Sequence, residues 1–255
     1  MSPCDRLFPV LLVALMLAGC ASTASENRQT RERNQEEAVR LNLGLAQGYM
    51  QRGDFEVALD RLLKAEKLDP KSADVQTMLG FLNERIGRAE LAKKHYTRSV
   101  ELDPDNGVIL NNYATWLCRS GRAGESDAWF SRALNDPFYK TPEAALSNAG
   151  KCALEAGDPA RAELYFRQLL EIKPASAPAL EYLARLSFEQ GNLMSARAFW
   201  QRREAMPVDD PMLLDLAARI ELGLGNAAGA RKYQQRLSAD FPDFRPPTPT
   251  THPRP

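Results

Sequence analysis

Hydrophobic residues return along this chain at helical spacing, in blocks cut by glycine and closed by proline. In the first block Leu45 and Tyr49 precede a turn at Arg52-Gly53-Asp54, Ala58, Leu62 and Ala65 follow on a second helix face, and Pro70 ends the block. The next block repeats the arrangement with Leu79, Gly80, Ala92, Tyr96 and Pro104. Turn glycines fall at Gly53, Gly87, Gly121, Gly157, Gly191 and Gly225, at intervals of 34, 34, 36, 34 and 34 residues. Five residues after each stands a small side chain: Ala58, Ala92, Ser126, Ala162, Ala196 and Ala230. Prolines close the blocks at Pro70, Pro104, Pro137, Pro174, Pro207 and Pro242. Each block therefore predicts a helix, a glycine turn and a second amphipathic helix.

The chemistry of these positions is structural. Glycine leaves the first helix through a backbone conformation that a Cβ disfavours, the small residue lets the second helix approach, and proline stops that helix. The pattern resembles the tetratricopeptide (TPR) family and implies an all-α fold, a right-handed α-solenoid of six TPR repeats over 35–244. The register places them at about 39–72, 73–106, 107–142, 143–176, 177–210 and 211–244. Repeats five and six match more loosely, with Arg203 and Gln234 where apolar residues usually stand. Repeat three is two residues longer than the others, through Leu134-Asn135-Asp136-Pro137-Phe138-Tyr139-Lys140-Thr141-Pro142. That connector either offsets the stack or is a tolerated surface insertion.

The two ends differ from the repeats. Residues 1–19 combine Arg6 with an uncharged run from Leu7 to Ala18, too short to span a bilayer and suited to an export signal. The run ends in Leu17-Ala18-Gly19-Cys20, which resembles a lipoprotein box and implies lipidation of Cys20. The alternatives are an ordinary cleaved signal or an uncleaved anchor. Ala21 after the cysteine implies, by the same resemblance, the outer membrane on its periplasmic face. Residues 20–34 are polar and predict a solvated tether, and the five prolines of 245–255 predict a disordered or extended tail.

Charge then narrows the function. Lys plus Arg equals Asp plus Glu at 33 each, so the chain offers no overall basic field for nucleic acid. Only His95 and His252 are histidines, and there is no phosphate loop or CxxC pair, so no catalytic residues, metal, cofactor or small-molecule substrate are expected. His95 reads as a surface or packing residue.

In TPR proteins the first helices of the repeats line a binding groove. The matching positions give Leu43, Gln47 and Met50, then Thr77, Phe81 and Glu84, then Asn111, Thr115, Cys118 and Arg119. Ser147, Lys151 and Leu154 follow, then Glu181, Arg185 and Phe188. Leu43, Met50 and Phe81 are expected to form an exposed apolar end that takes a partner helix or extended peptide, unless the tether folds over it. The carboxylate clamp of some TPR receptors is missing, because Leu43 and Gln47 stand where Lys and Asn are needed.

Beyond the repeat pattern stand Asn111-Asn112-Tyr113-Ala114, Trp116-Leu117-Cys118, Asp136-Pro137-Phe138-Tyr139, Asn148-Ala149-Gly150-Lys151-Cys152-Ala153-Leu154 and Gly157-Asp158. With the lipobox these resemble the type IV pilus biogenesis TPR lipoprotein family, the pilotins of the pilus secretin. The resemblance implies a lipid-anchored protein that binds secretin subunits, brings them to the outer membrane and permits their multimerisation, and so supports twitching motility. The alternative is a generic outer-membrane TPR adaptor that recruits a protease or a cell-wall enzyme.

Two cysteines remain once Cys4 leaves with the signal and Cys20 carries lipid. Cys118 and Cys152 fall on the first helices of neighbouring repeats, an arrangement that suits a disulfide closing a loop of 34 residues. Such a loop contributes about 3 to 4 kcal/mol in the chain-entropy account. The other reading is a pair of buried free thiols.

Overall fold

The computed structural model describes the backbone of residues 7–246 and the side chains of residues 28–246. Among the described residues it holds twelve helices and no strand. They are α1 (Leu7–Arg52), α2 (Phe55–Leu68), α3 (Ala73–Arg85), α4 (Ala89–Leu102), α5 (Gly107–Arg119) and α6 (Ala123–Leu134), followed by α7 (Pro142–Glu155), α8 (Pro159–Ile172), α9 (Ala177–Glu189), α10 (Leu193–Glu204), α11 (Pro211–Gly223) and α12 (Ala227–Asp240). This is the all-helical TPR solenoid fold. The chain divides into two compact units, Met1–Tyr113 and Ala114–Pro255.

In the first unit the turn chemistry explains why each first helix stops where it does. Gly87 has φ +76°, a left-handed conformation that a Cβ makes costly by about 1–2 kcal/mol. Its N–H donates to the Glu84 carbonyl at 3.1 Å, and Arg88 N–H reaches back to Asn83 at 2.8 Å, so two carbonyls at the end of α3 are satisfied. All six turn glycines share this sign of φ. Close packing uses another glycine, since a Cβ on Gly80 would stand 2.9 Å from the Tyr96 ring. Val39, Ala46 and Met50 of α1, Ala58, Leu62 and Ala65 of α2, and Val75, Leu79 and Leu82 of α3 make one core. Each large aliphatic side chain so buried contributes roughly 1.5–3 kcal/mol.

The second unit holds two cores. Ala149, Cys152 and Ala153 of α7, Phe166 and Leu169 of α8, and Ala179 and Leu183 of α9 form the first. Trp200 of α10 with Leu213, Leu214, Ala217 and Ile220 of α11 and Tyr233 of α12 form the second. The long connector between α6 and α7 is ordered by its own residues. Asp136 Oδ1 accepts the Phe138 N–H at 2.9 Å, Tyr139 turns inward and is buried, and Phe138 is left 85% exposed.

Two expectations change. Arg203 is buried in spite of its charge: its Nε donates to Glu181 Oε1 at 2.6 Å and its Nη1 to the Pro207 carbonyl at 2.8 Å. A paired and hydrogen-bonded guanidinium is tolerated where a bare one is not. The polar stretch before the repeats is helical, because α1 continues through it, although Arg28–Glu37 are all exposed. Arg, Glu and Gln are good helix formers, and extending a helix already held by its packed end is cheap. Cys20 and the rest of 7–27 lie outside the residues whose side chains are described. Residues 1–6 and 247–255, which carry the start of the signal and most of the proline-rich tail, lie outside the described residues altogether.

Candidate functional site

The expected binding residues sort by burial. In the first unit Met50 is 8% exposed and belongs to the core, with Leu43 and Phe81 half-buried against it. The structure brings these three together; Met50 lies in the core, contrary to the expectation that it is exposed, while Leu43 and Phe81 pack against that core and keep part of their surface open. Gln47 is exposed, while Thr77 is buried and donates to the Ala73 carbonyl at 3.0 Å. Asn111 is buried as well. Among the described side chains of α1 the exposed large apolar residues are Leu41, at 63%, and Leu45, at 37%, of which Leu41 is the more open. Leu41 lies on the side of the helix opposite Met50, and its place in the repeat gave no signal, because the face beyond a first repeat has no fixed pattern.

His95 is half-buried on α4. Its Nδ1 stands 2.8 Å from Gln76 Oε1, and Gln76 in turn donates to Glu66 Oε1 at 2.9 Å. Burial holds the imidazole below its ordinary pKa. Among the described residues no cluster of His, Cys, Asp and Glu could hold a metal ion.

In the second unit Thr115 is half-buried and accepts from Asn148 Nδ2 at 3.3 Å, joining two residues singled out in the sequence. Arg119, Lys151 and Arg185 are exposed on α5, α7 and α9, while Glu181, read as a groove residue, is committed to Arg203. The sulfurs of Cys118 and Cys152 are 1.94 Å apart across α5 and α7, with their Cα atoms 5.8 Å apart. Glu155 Oε2 lies 3.1 Å from the Cys118 sulfur and Ser126 Oγ 3.2 Å from that of Cys152. Thiol titration of the denatured, unreduced mature chain is expected to find neither cysteine free, with a monomeric band on a non-reducing gel. Two reactive thiols per chain would refute the bridge.

Models of the tetratricopeptide repeat match residues 43–107 and 117–177, and a second such model matches 153–220. The type IV pilus assembly protein PilF of Pseudomonas aeruginosa is 28% identical over 191 residues, 75% of this chain and 76% of that protein. The crystal structure of PilW, a widely conserved type IV pilus biogenesis factor, aligns with TM-score 0.69 at 31% identity, covering 81% of this chain and 94% of PilW. The structure of Pseudomonas aeruginosa PilF aligns with TM-score 0.75 at 26% identity, over 83% of this chain and 95% of that one.

Proposed function

We propose that this chain, which belongs to the tetratricopeptide-repeat family and is homologous to the type IV pilus assembly proteins PilF and PilW, is an outer-membrane lipoprotein that binds secretin subunits and promotes their localisation and multimerisation. TPR repeats are protein-interaction scaffolds, and the homology supports a place for this one in type IV pilus biogenesis. The observation that carries the reading is the extent of the likeness to PilW, at 31% identity over 94% of that chain. Leu17-Ala18-Gly19-Cys20 supports the anchor.

The physical logic is confinement. Acyl chains on Cys20 would hold the repeats at one leaflet at roughly 0.8 kcal/mol per buried methylene. A client bound by the repeats is then confined to the same leaflet, which raises the local concentration of clients and favours their assembly without an energy source. Deleting the gene is expected to abolish detergent-resistant secretin multimers and twitching motility, both restored by the intact gene. Multimers and motility that persist in the deletion strain would sink this reading and favour an adaptor for a protease or a cell-wall enzyme.

A further inference from the structure

In every repeat after the first, the third residue is buried: Val75, Ile109, Ala145, Ala179 and Leu213. The seventh is buried at Leu79, Ala149, Leu183 and Ala217 and half-buried at Tyr113. These side chains share cores with the second helix of the preceding repeat: Val75 and Leu79 with Leu62 and Ala65 of α2, Ala179 and Leu183 with Phe166 and Leu169 of α8, Leu213 and Ala217 with Trp200 of α10. In the first repeat the same two places hold Leu41, 63% exposed, and Leu45, 37% exposed. The last repeat is finished differently. Leu62, Tyr96, Phe130, Phe166 and Trp200 are buried at one place of the second helices, and α12 carries the exposed Gln234 there. A terminal repeat needs such a polar outer face, and that of the first repeat is apolar.

Two glycines lie beside these leucines. By helical periodicity Leu41, Gly44, Leu45 and Gly48 fall on one side of α1, away from Met50. Glycine weakens a helix interior, and at Gly80 and Gly150 a neighbouring ring that leaves no room for a Cβ explains the choice. At Gly44 and Gly48 nothing stands within 4 Å of an added Cβ. The face is therefore two leucine knobs beside two hollows, and it is its own complement. Laid against a second α1 running the other way, Leu41 meets Gly48 and Leu45 meets Gly44, and a two-fold axis repeats both contacts. The charges agree with that register. Glu37 comes opposite Arg52, and Arg33 comes to the α1–α2 turn, where Asp54 and Glu56 are exposed. Arg40, at the margin of the seam, comes opposite Tyr49. Within its own chain Arg52 stacks 4.6 Å from the centroid of the Tyr49 ring and reaches Asp54 at 3.4 Å, an exposed pair of the kind that exchanges at little cost.

We propose that the outer face of α1 binds the α1 of a second copy of this chain, antiparallel, about a two-fold axis between Gly44 and Leu45. A closed pair is favoured over head-to-tail stacking, because α12 offers Gln234 where an apolar side chain would have to cover Leu41 and Leu45. The paired stretch from Glu37 to Arg52 is about 24 Å of helix. A seam of that length is small for a stable dimer, and holding both copies on one leaflet raises their effective concentration. That confinement rests on the Cys20 anchor, whereas the pairing itself does not.

The test is sedimentation equilibrium of the full mature chain in density-matched detergent. A monomer–dimer equilibrium is expected, with its dissociation constant raised about tenfold or more by Leu41→Arg and about fivefold by Glu37→Arg or Arg52→Glu alone. The double variant Glu37→Arg/Arg52→Glu restores opposite signs across the seam and should return to within about twofold of the unaltered chain. The two residues stand about 22 Å apart along one helix, too far to meet within a chain, so rescue reports a contact between copies. Thermal melts should not move, since Glu37, Leu41 and Arg52 are all exposed. A chain still monomeric at about 100 µM would overturn the proposal. So would a dimer that Leu41→Arg leaves intact, or single reversals that the double variant does not repair. A monomer whose folded Leu41→Arg variant loses secretin multimers in cells would give the face to a partner's helix. A monomer that binds phosphatidylethanolamine vesicles through Leu41 would give it to the membrane, and either result removes the second copy. Dimers that form as expected while secretin multimers persist in the deletion strain would leave this face standing and sink only the secretin reading.

Discussion

Replacing Met50 by aspartate is expected to unfold the first unit. Met50, at 8% exposure, shares an apolar core with Val39, Ala46, Leu62 and Leu79. Removing a buried methionine costs about 2–5 kcal/mol by itself, and a carboxylate in its place adds desolvation without a partner, so a total of about 4 kcal/mol or more is reasonable. A thermal melt should show the first unit's share of the helical signal lost well below the melting of the unaltered chain. Gln47→Glu, on an exposed position of the same helix, should fall within about 0.5 kcal/mol. A Met50→Asp protein that melts normally but no longer binds its partner would mean that Met50 is surface after all.

Cys20→Ala carries the other large effect, and it is one of place instead of stability. Cys20 precedes Val39, the first buried residue of α1 among the described side chains, by a long stretch, so the repeats should fold and melt as before. Without acyl chains the protein should leave the outer-membrane fraction and appear as soluble periplasmic protein, and secretin multimers should fall with it. A variant that still sediments with the outer membrane would remove the lipobox from the account.

Most of the fold was legible because its signals are local. A glycine with positive φ, a small residue against a neighbouring helix and a proline after the last turn each act within a few residues. The turns at Gly53 through Gly225 lie where the spacing put them, and α2, α4, α6, α8, α10 and α12 all end shortly before the expected prolines. The binding surface was harder to read. Position within a TPR repeat says which way a side chain tends to point, but exposure depends on what the next helix places there. Met50 and Cys118 occupy equivalent places in their repeats to Leu222, yet the first two are buried and the last is open. Arg203 looked like a defect because the pattern records residue type, not partner. Its partners, Glu181 and the Pro207 carbonyl, become visible only when α9 and α10 are packed. Helix in the polar segment before the repeats was missed for a different reason: composition reports that a stretch is solvated, not whether a neighbouring helix will grow through it.

That helical stretch has a mechanical meaning. Arg28–Glu37 stand in solvent on α1 and add about 15 Å of rod to the end of the first repeat. A coil of similar length would set only how far the repeats can wander, whereas a rod also sets which way they face. Two residues inserted there would lengthen it by only about 3 Å while rotating everything beyond by about 200° about the helix axis. The segment therefore acts as an indexing shaft: whatever holds its far end dictates the bearing of the first repeat, and phase along the helix matters more than length.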